Sequence, residues 1–208
     1  MTERLYYHDA FLREFDACVL SSELIGDRFA TVLDRTAFYP TSGGQPFDTG
    51  RLGEATVVEI VEEEDGGIIH WTDRQLSQGS IHGIIDWGRR FDHMQQHTGQ
   101  HLLSAAFVSL FSFPTISFHL GRETSSIDLE ARSVVQRHIE EAEGLTNCVI
   151  YDDRPVTVSF RTAQELVGSG VRKMVEREGP LRVLEIEGFD LQPCGGTHVA
   201  RTGQVGLR

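Results

Sequence analysis

The chain has 208 residues, 39% of them hydrophobic, which suffices for one large domain or two modest ones around a real core. It has no apolar run approaching the ~18 residues of a membrane-spanning helix, so a spanning segment is excluded. Its formal net charge of −12 by itself opposes nucleic acid, whose phosphates require cationic partners.

The N-terminus, Met1-Thr2-Glu3-Arg4, lacks the basic-then-apolar design of a signal peptide. Cys18, Cys148 and Cys194 are far apart and odd in number, so no disulfide framework is expected and a reducing cytoplasm is the expected location. The first 88 or so residues read as mostly β. Runs such as Ala17-Cys18-Val19-Leu20, Phe29-Ala30-Thr31-Val32-Leu33 and Thr56 to Val61 are separated by turn chemistry at Gly43-Gly44, Asp48-Thr49-Gly50 and Asp65-Gly66-Gly67. Short strands at such spacing predict a small barrel. The acidic run Glu62-Glu63-Glu64-Asp65 reads as a solvated hairpin end.

The period changes near Arg89. Leu102, Leu103, Ala106 and Leu110 recur at helical spacing and predict a helix from about Asp92, its N-cap, to Phe111. A second helix is predicted over Ala131 to Glu143 and a third over Thr162 to Val167, interrupted by Gly168 and Gly170. Val149-Ile150-Tyr151, Val156 to Phe160 and Leu181 to Ile186 read as strands. Strands mixed with irregularly placed helices predict an α+β fold over a doubly wound one. The expected organisation is a β-barrel-like domain over 1–88, then a second domain over 89–208 with a mixed or antiparallel sheet packed on helices.

All basic residues but Lys173 are arginine, the better fork for phosphate. Local patches can oppose a net field. The candidates are Arg89-Arg90 and the stretch holding Arg172, Lys173, Arg177 and Arg182.

His97-Thr98-Gly99-Gln100-His101 falls on the first predicted helix, where side chains four apart lie one turn above each other. Nearly a hundred residues later comes Cys194-Gly195-Gly196-Thr197-His198, whose glycines let the thiolate and imidazole converge. Each pair alone is a weak signal, since two histidines on a helix face are often only polar surface. Together they offer the four borderline-soft ligands of a tetrahedral zinc site, one ion per chain. No glutamate follows His97, so this is not the protease pattern H-E-x-x-H.

The segment Arg90 to Leu103, with Cys194 to Val199 and the trailing Thr202-Gly203-Gln204-Val205-Gly206, resembles the editing domain of alanyl-tRNA synthetases. Thr36 to Asp48, carrying Gly43-Gly44-Gln45, resembles the glycine-rich segment of the β domain that precedes it. The two occur together in the free-standing AlaX proteins of medium length, and 208 residues leave no room for an aminoacylation domain. Gly99 and Gln100 stand where the synthetases carry small threonine- and alanine-like residues, which is the AlaX form of the motif. The chain stops at Arg208, where relatives generally continue into further strands.

The resemblance implies a zinc-dependent hydrolase that deacylates serine wrongly attached to alanine tRNA, with glycine a second candidate substrate. It implies the tRNA acceptor end as partner; the lack of a long apolar run predicts no membrane, and a monomer is the default expectation because the sequence gives no basis for an oligomer. Two alternatives stand beside it: a structural-zinc, tRNA-binding module without hydrolysis, and editing of threonyl-type tRNA. An alanine pocket rejects glycine or serine by only about 1–3 kcal/mol, so a second site must clear errors. That site can select serine with a buried polar group that alanine would leave unpaired, at about 1–3 kcal/mol. Gln100 is one candidate, and His119, near Thr115 and Ser117, is another. Gly43, Gly44 and Gln45 are candidates for close approach to the acceptor stem, and equally for a tight barrel turn. No catalytic residue is assigned, because three ligands plus water and four closed ligands remain equally open for the zinc.

Overall fold

The computed structural model describes residues 2–121, 124–169, 171 and 179–206. The chain divides into two compact units, Met1–His93 and Met94–Arg208.

In the first unit β1 (Glu3–Arg4) pairs in parallel with β4 (Arg35–Thr36). Six strands close a barrel: β2 (Glu14–Ile25), β3 (Arg28–Leu33), β5 (Gly50–Leu52), β6 (Ala55–Glu62), β7 (Ile68–Thr72) and β8 (Gly79–Ile85). Their order around it is β2-β3-β7-β6-β5-β8, every neighbour antiparallel, so no sheet edge is left open. Closure follows from the alternation: Phe15, Ala17 and Val19 of β2 point inward while Glu14, Asp16 and Cys18 face water. The inward side chains join Leu33, Phe38, Leu52, Val57, Ile60, Ile68 and Ile85 in one core. A Cβ at Gly50 would stand 2.1 Å from the Ile84 carbonyl oxygen and 2.8 Å from the Phe38 ring, so only glycine lets β5 lie against β8.

Gly43 and Gly44 form a two-residue turn between Ser42 and Gln45, which exchange both backbone hydrogen bonds. Both glycines have positive φ, 54° and 82°, the requirement of a type I′ turn. Gln45 is fully buried, so its side chain serves the interior of the barrel unit.

α1 (Trp87–Phe111) starts five residues earlier than the sequence predicts. Asp86 caps it, its Oδ1 accepting the Arg89 N–H at 3.2 Å. The early turns are hidden from a hydrophobic count because their buried stripe is polar: Arg90, His93, His97, Thr98 and His101 are all buried.

In the second unit β9 (Thr115–Leu120) and β10 (Ser125–Leu129) form an antiparallel hairpin. α2 (Gln136–Tyr151), β11 (Val156–Arg161), α3 (Ala163–Leu166), β12 (Leu181–Ile186) and β13 (Asp190–Pro193) follow. The sheet order is β11-β12-β13, antiparallel throughout. An α+β unit after a small barrel is therefore observed. α2 starts later than expected and absorbs the expected strand Val149-Ile150-Tyr151. Its buried residues Ala142, Thr146, Val149 and Ile150 keep helical period, and that period overrides the β-branched run. Ala106 and Phe107 of α1 pack on Ala142 of α2, with Leu103, Ile127 and Leu145 around them. Among the described residues no helix is long and apolar enough to cross a membrane.

Candidate metal centre

Helical spacing sets the first two groups. His97 and His101 lie one turn apart on α1, both buried, their ring centroids 5.4 Å apart. The other two arrive on the loop after β13. Val183 of β12 stands opposite Pro193, and the Cys194 N–H donates to the Arg182 carbonyl at 3.0 Å, so the ladder delivers Cys194 at its end. The loop then turns through Gly195 and Gly196 and returns His198. The Arg182 side chain holds that turn from behind, donating to the carbonyls of Cys194 at 2.7 Å and Gly196 at 2.9 Å.

The loop's exit is tied down as firmly. The Val199 N–H donates to Thr98 Oγ1 at 3.3 Å, and Thr202 Oγ1 donates to the Val149 carbonyl at 2.7 Å. Arg201 pairs with Asp153 through Nε at 2.6 Å. α1 and α2 thus both grip the segment that carries His198.

His97, His101, Cys194 and His198 are brought together. Cys194 Sγ lies 3.5 Å from His97 Nε2 and 3.2 Å from His198 Nε2, and the four ligand atoms all lie within 4.8 Å of one another. A tetrahedral zinc site with bonds of about 2.0–2.3 Å has edges of roughly 3.3–3.8 Å, so the four fit one ion after small side-chain adjustments. The outer contacts suit the same ion. His101 Nδ1 faces Asp190 Oδ2 at 3.2 Å and His198 Nδ1 faces Thr98 Oγ1 at 3.3 Å, which leaves each Nε2 directed inward.

Electrostatics prepare the donors. Burial pushes the Cys194 thiol up, but the surrounding His97, His198 and His101 outweigh it and hold the thiol well below its ordinary value. Burial pushes the His198 imidazole down to about 3, so its lone pair is available. At His101 burial acts downward too, yet Asp190 and Cys194 outweigh it and raise the imidazole to about 9. In metal-free protein His101 therefore carries a proton at neutral pH that a bound cation must displace.

Residues 181–207 match a family profile described as the threonyl and alanyl tRNA synthetase second additional domain. The alanyl-tRNA editing protein AlaX-M of Methanosarcina acetivorans is 36% identical over 99% of this chain and 90% of its own length. The chain belongs to the AlaX family of alanyl-tRNA editing proteins. The alanyl-tRNA editing protein Aarsd1 of Danio rerio is 35% identical over 95% of the chain, and AlaX-L of Pyrococcus horikoshii 36% identical over 100% of it. The chain spans about half the length of those two, 52% and 53%.

The other residues singled out in this AlaX-family chain are dispersed. Gln100 lies beside the ligand stripe on α1, and its Nε2 donates to Ser104 Oγ at 2.7 Å, as does Thr115 Oγ1 at 2.7 Å. His119 is exposed on the β9–β10 hairpin opposite Ser126, and Ser117 donates to Asp128. The aromatic that does reach the cluster is Phe118, its ring centroid 5.2 Å from that of His97. Sequence reasoning passed it over, since a lone phenylalanine in a strand carries no signal.

Arg90 is fully buried and pairs with Asp48, and Arg182 is buried as the clamp of the cysteine loop. Arg172, Lys173 and Arg177 lie outside the described residues. Arg89 is half-buried, donating Nε to the Phe47 carbonyl at 2.9 Å with its guanidinium over the Phe47 ring. Arg13 is its counterpart in the same unit, exposed and 4.2 Å over Trp87.

Proposed function

We propose that this chain hydrolyses the ester that joins serine to alanine tRNA, with glycine a slower substrate. The observation that carries the reading is the largely buried cluster of His97 and His101 on α1 with Cys194 and His198 on the loop after β13, next to Gln100, in a chain whose relatives are named alanyl-tRNA editing proteins. A zinc ion bound by those four residues would supply a fixed positive charge beside the ester carbonyl. Ser104 accepts the Gln100 amide N–H, and the amide oxygen on the same group would accept from the serine hydroxyl. Alanine offers no hydroxyl and leaves that oxygen unpaired, which penalises it by about 1–3 kcal/mol.

Time courses with Ser-, Gly- and Ala-tRNA(Ala) test the reading. Serine is released about ten- to a hundredfold faster than alanine, the range that penalty spans, and glycine falls between. Gln100→Ala slows serine release and narrows the ratio while zinc content is kept. Equal, slow loss of serine and alanine from wild-type protein would sink the deacylase. The second reading, a structural zinc in a tRNA-binding module, would then stand, and four protein ligands that can close the coordination sphere favour it.

Binding of the tRNA backbone falls to Arg13 and Arg89, whose guanidiniums rest on aromatic rings where most other described arginines rest on carboxylates. An arginine so placed keeps its full charge for phosphate. Replacing both by alanine lowers the slope of log affinity against log salt by roughly 0.7–0.9 per lost contact. An unchanged slope in filter binding from 50 to 300 mM salt (order-of-magnitude range) moves the contact elsewhere.

A further inference from the structure

Beside the metal cluster the second unit holds a cavity of about 330 Å³ whose chemistry differs from that of the cluster. One wall is α1, through Gln96, Gly99, Gln100, Leu103 and Phe107, a stripe one helix position from the His97–His101 stripe. The opposite wall is α2, through Ile139, Glu143, Thr146 and Asn147, and the hairpin closes the side with Phe118 and Ile127. Phe118 stands in both places, lining the cavity and packing on the His97 ring. A ligand reaching from the cluster into the cavity passes along that ring.

Three features define the occupant. Most of the lining is apolar, and the volume exceeds what a serine side chain fills. Thr146 is buried at 4% exposure on the cavity wall, and its Oγ1 has no hydrogen-bond partner, a cost that a bound polar group would remove. The charged side chain of the lining is an acid, Glu143, so a phosphate or free carboxylate is repelled. What fits is a neutral planar ring with apolar faces and a polar edge that both donates and accepts.

We propose that this cavity receives the terminal adenine of the tRNA, stacked against Phe118, with Thr146 Oγ1 and the Glu143 carboxylate reading its edge. Every tRNA ends in adenosine, and the ester to be cleaved sits on that nucleotide's ribose. Base in the cavity and ester at the cluster are thus what one nucleotide spanning Phe118 would present. Thr146 bonds a ring nitrogen, and Glu143 accepts from the exocyclic amine, which hypoxanthine replaces by a carbonyl. This rests on the deacylase reading for its substrate, but the pocket itself binds a nucleoside whether or not hydrolysis follows.

The test uses metal-loaded full chain with adenosine and inosine as probes. Adenosine shifts the amide resonances of residues 139–147 and of Phe118 in a saturable way, and inosine binds at least severalfold more weakly. Glu143→Gln narrows that preference. Thr146→Val, which keeps shape and removes the orphaned hydroxyl, weakens adenosine about three- to tenfold and raises KM for Ser-tRNA(Ala) by a like factor with kcat and zinc content held. Saturable shifts in a protein without deacylation would overturn the enzymatic reading and leave the adenine pocket standing. Deacylation with no adenosine shifts, and an unchanged KM in Thr146→Val, would overturn the pocket and leave the enzyme. Equal binding of adenosine and inosine also counts against it, marking a general apolar cavity instead.

Discussion

Cys194→Ala protein purified without added metal carries little zinc, and under the proposed deacylase function its release of serine from alanine tRNA falls by about two orders of magnitude or more. The size of the effect follows from what the thiolate does. It lies 3.5 Å from His97 Nε2 and 3.2 Å from His198 Nε2, it also bonds His101, and it is the one anionic donor of the cluster. Its removal leaves three imidazole nitrogens and no anionic donor, and it takes away one of the two groups that raise His101. Asp190→Asn is the graded companion: all four donors remain, and zinc affinity falls about 10–100-fold, the usual cost of losing a carboxylate behind a ligating histidine. Metal analysis and chelator competition read both. Equal zinc in Cys194→Ala and wild type would remove Cys194 from the site.

The four clustered side chains were legible because each pair has a spacing that means something locally: one helical turn for His97 and His101, one glycine-rich loop for Cys194 and His198. What holds them was not. Asp190, Thr98 and Arg182 lie in unremarkable contexts, and their partners are 89, 100 and 12 residues away in sequence. A buried arginine donating to two carbonyls looks, in sequence, like any other basic residue in a candidate phosphate-binding stretch. The barrel was legible through its period-two strands, and the glycine turn through its two consecutive glycines. The start of α1 was lost because its inward stripe is polar there, and the end of α2 because Val149 and Ile150 are β-branched. In both places tertiary packing, not local propensity, decided the element.

Arg90→Met lowers the stability of the barrel unit by about 3–5 kcal/mol, while Arg89→Met next to it, which loses one part-buried hydrogen bond and a ring contact, costs about 1 kcal/mol. The contrast is a contrast of surroundings. Arg90 is fully buried, and its guanidinium is fully engaged: Nε and Nη2 on the Asp48 carboxylate, Nη1 on the Ala10 carbonyl at 2.9 Å, Nη2 also on the Ala37 carbonyl at 2.5 Å. Asp48 in turn accepts the Tyr39 N–H at 2.6 Å, so one ion pair ties the first turn of α1 to both ends of the glycine-rich segment. Removing the arginine alone strands a buried carboxylate and two carbonyls, and the cost is that of an uncompensated charge. At about 4–8 °C per kcal/mol for a unit of this size, thermal unfolding by circular dichroism resolves the difference easily. Arg90→Met with Asp48→Asn removes the stranded charge and recovers part of the loss. An Arg90→Met protein as stable as wild type would mean that Asp48 finds another cation or takes up a proton at little cost. Because the Arg90–Asp48 pair is buried in the barrel unit, a variant changed at both Arg89 and Arg90 loses the barrel before it loses a phosphate contact.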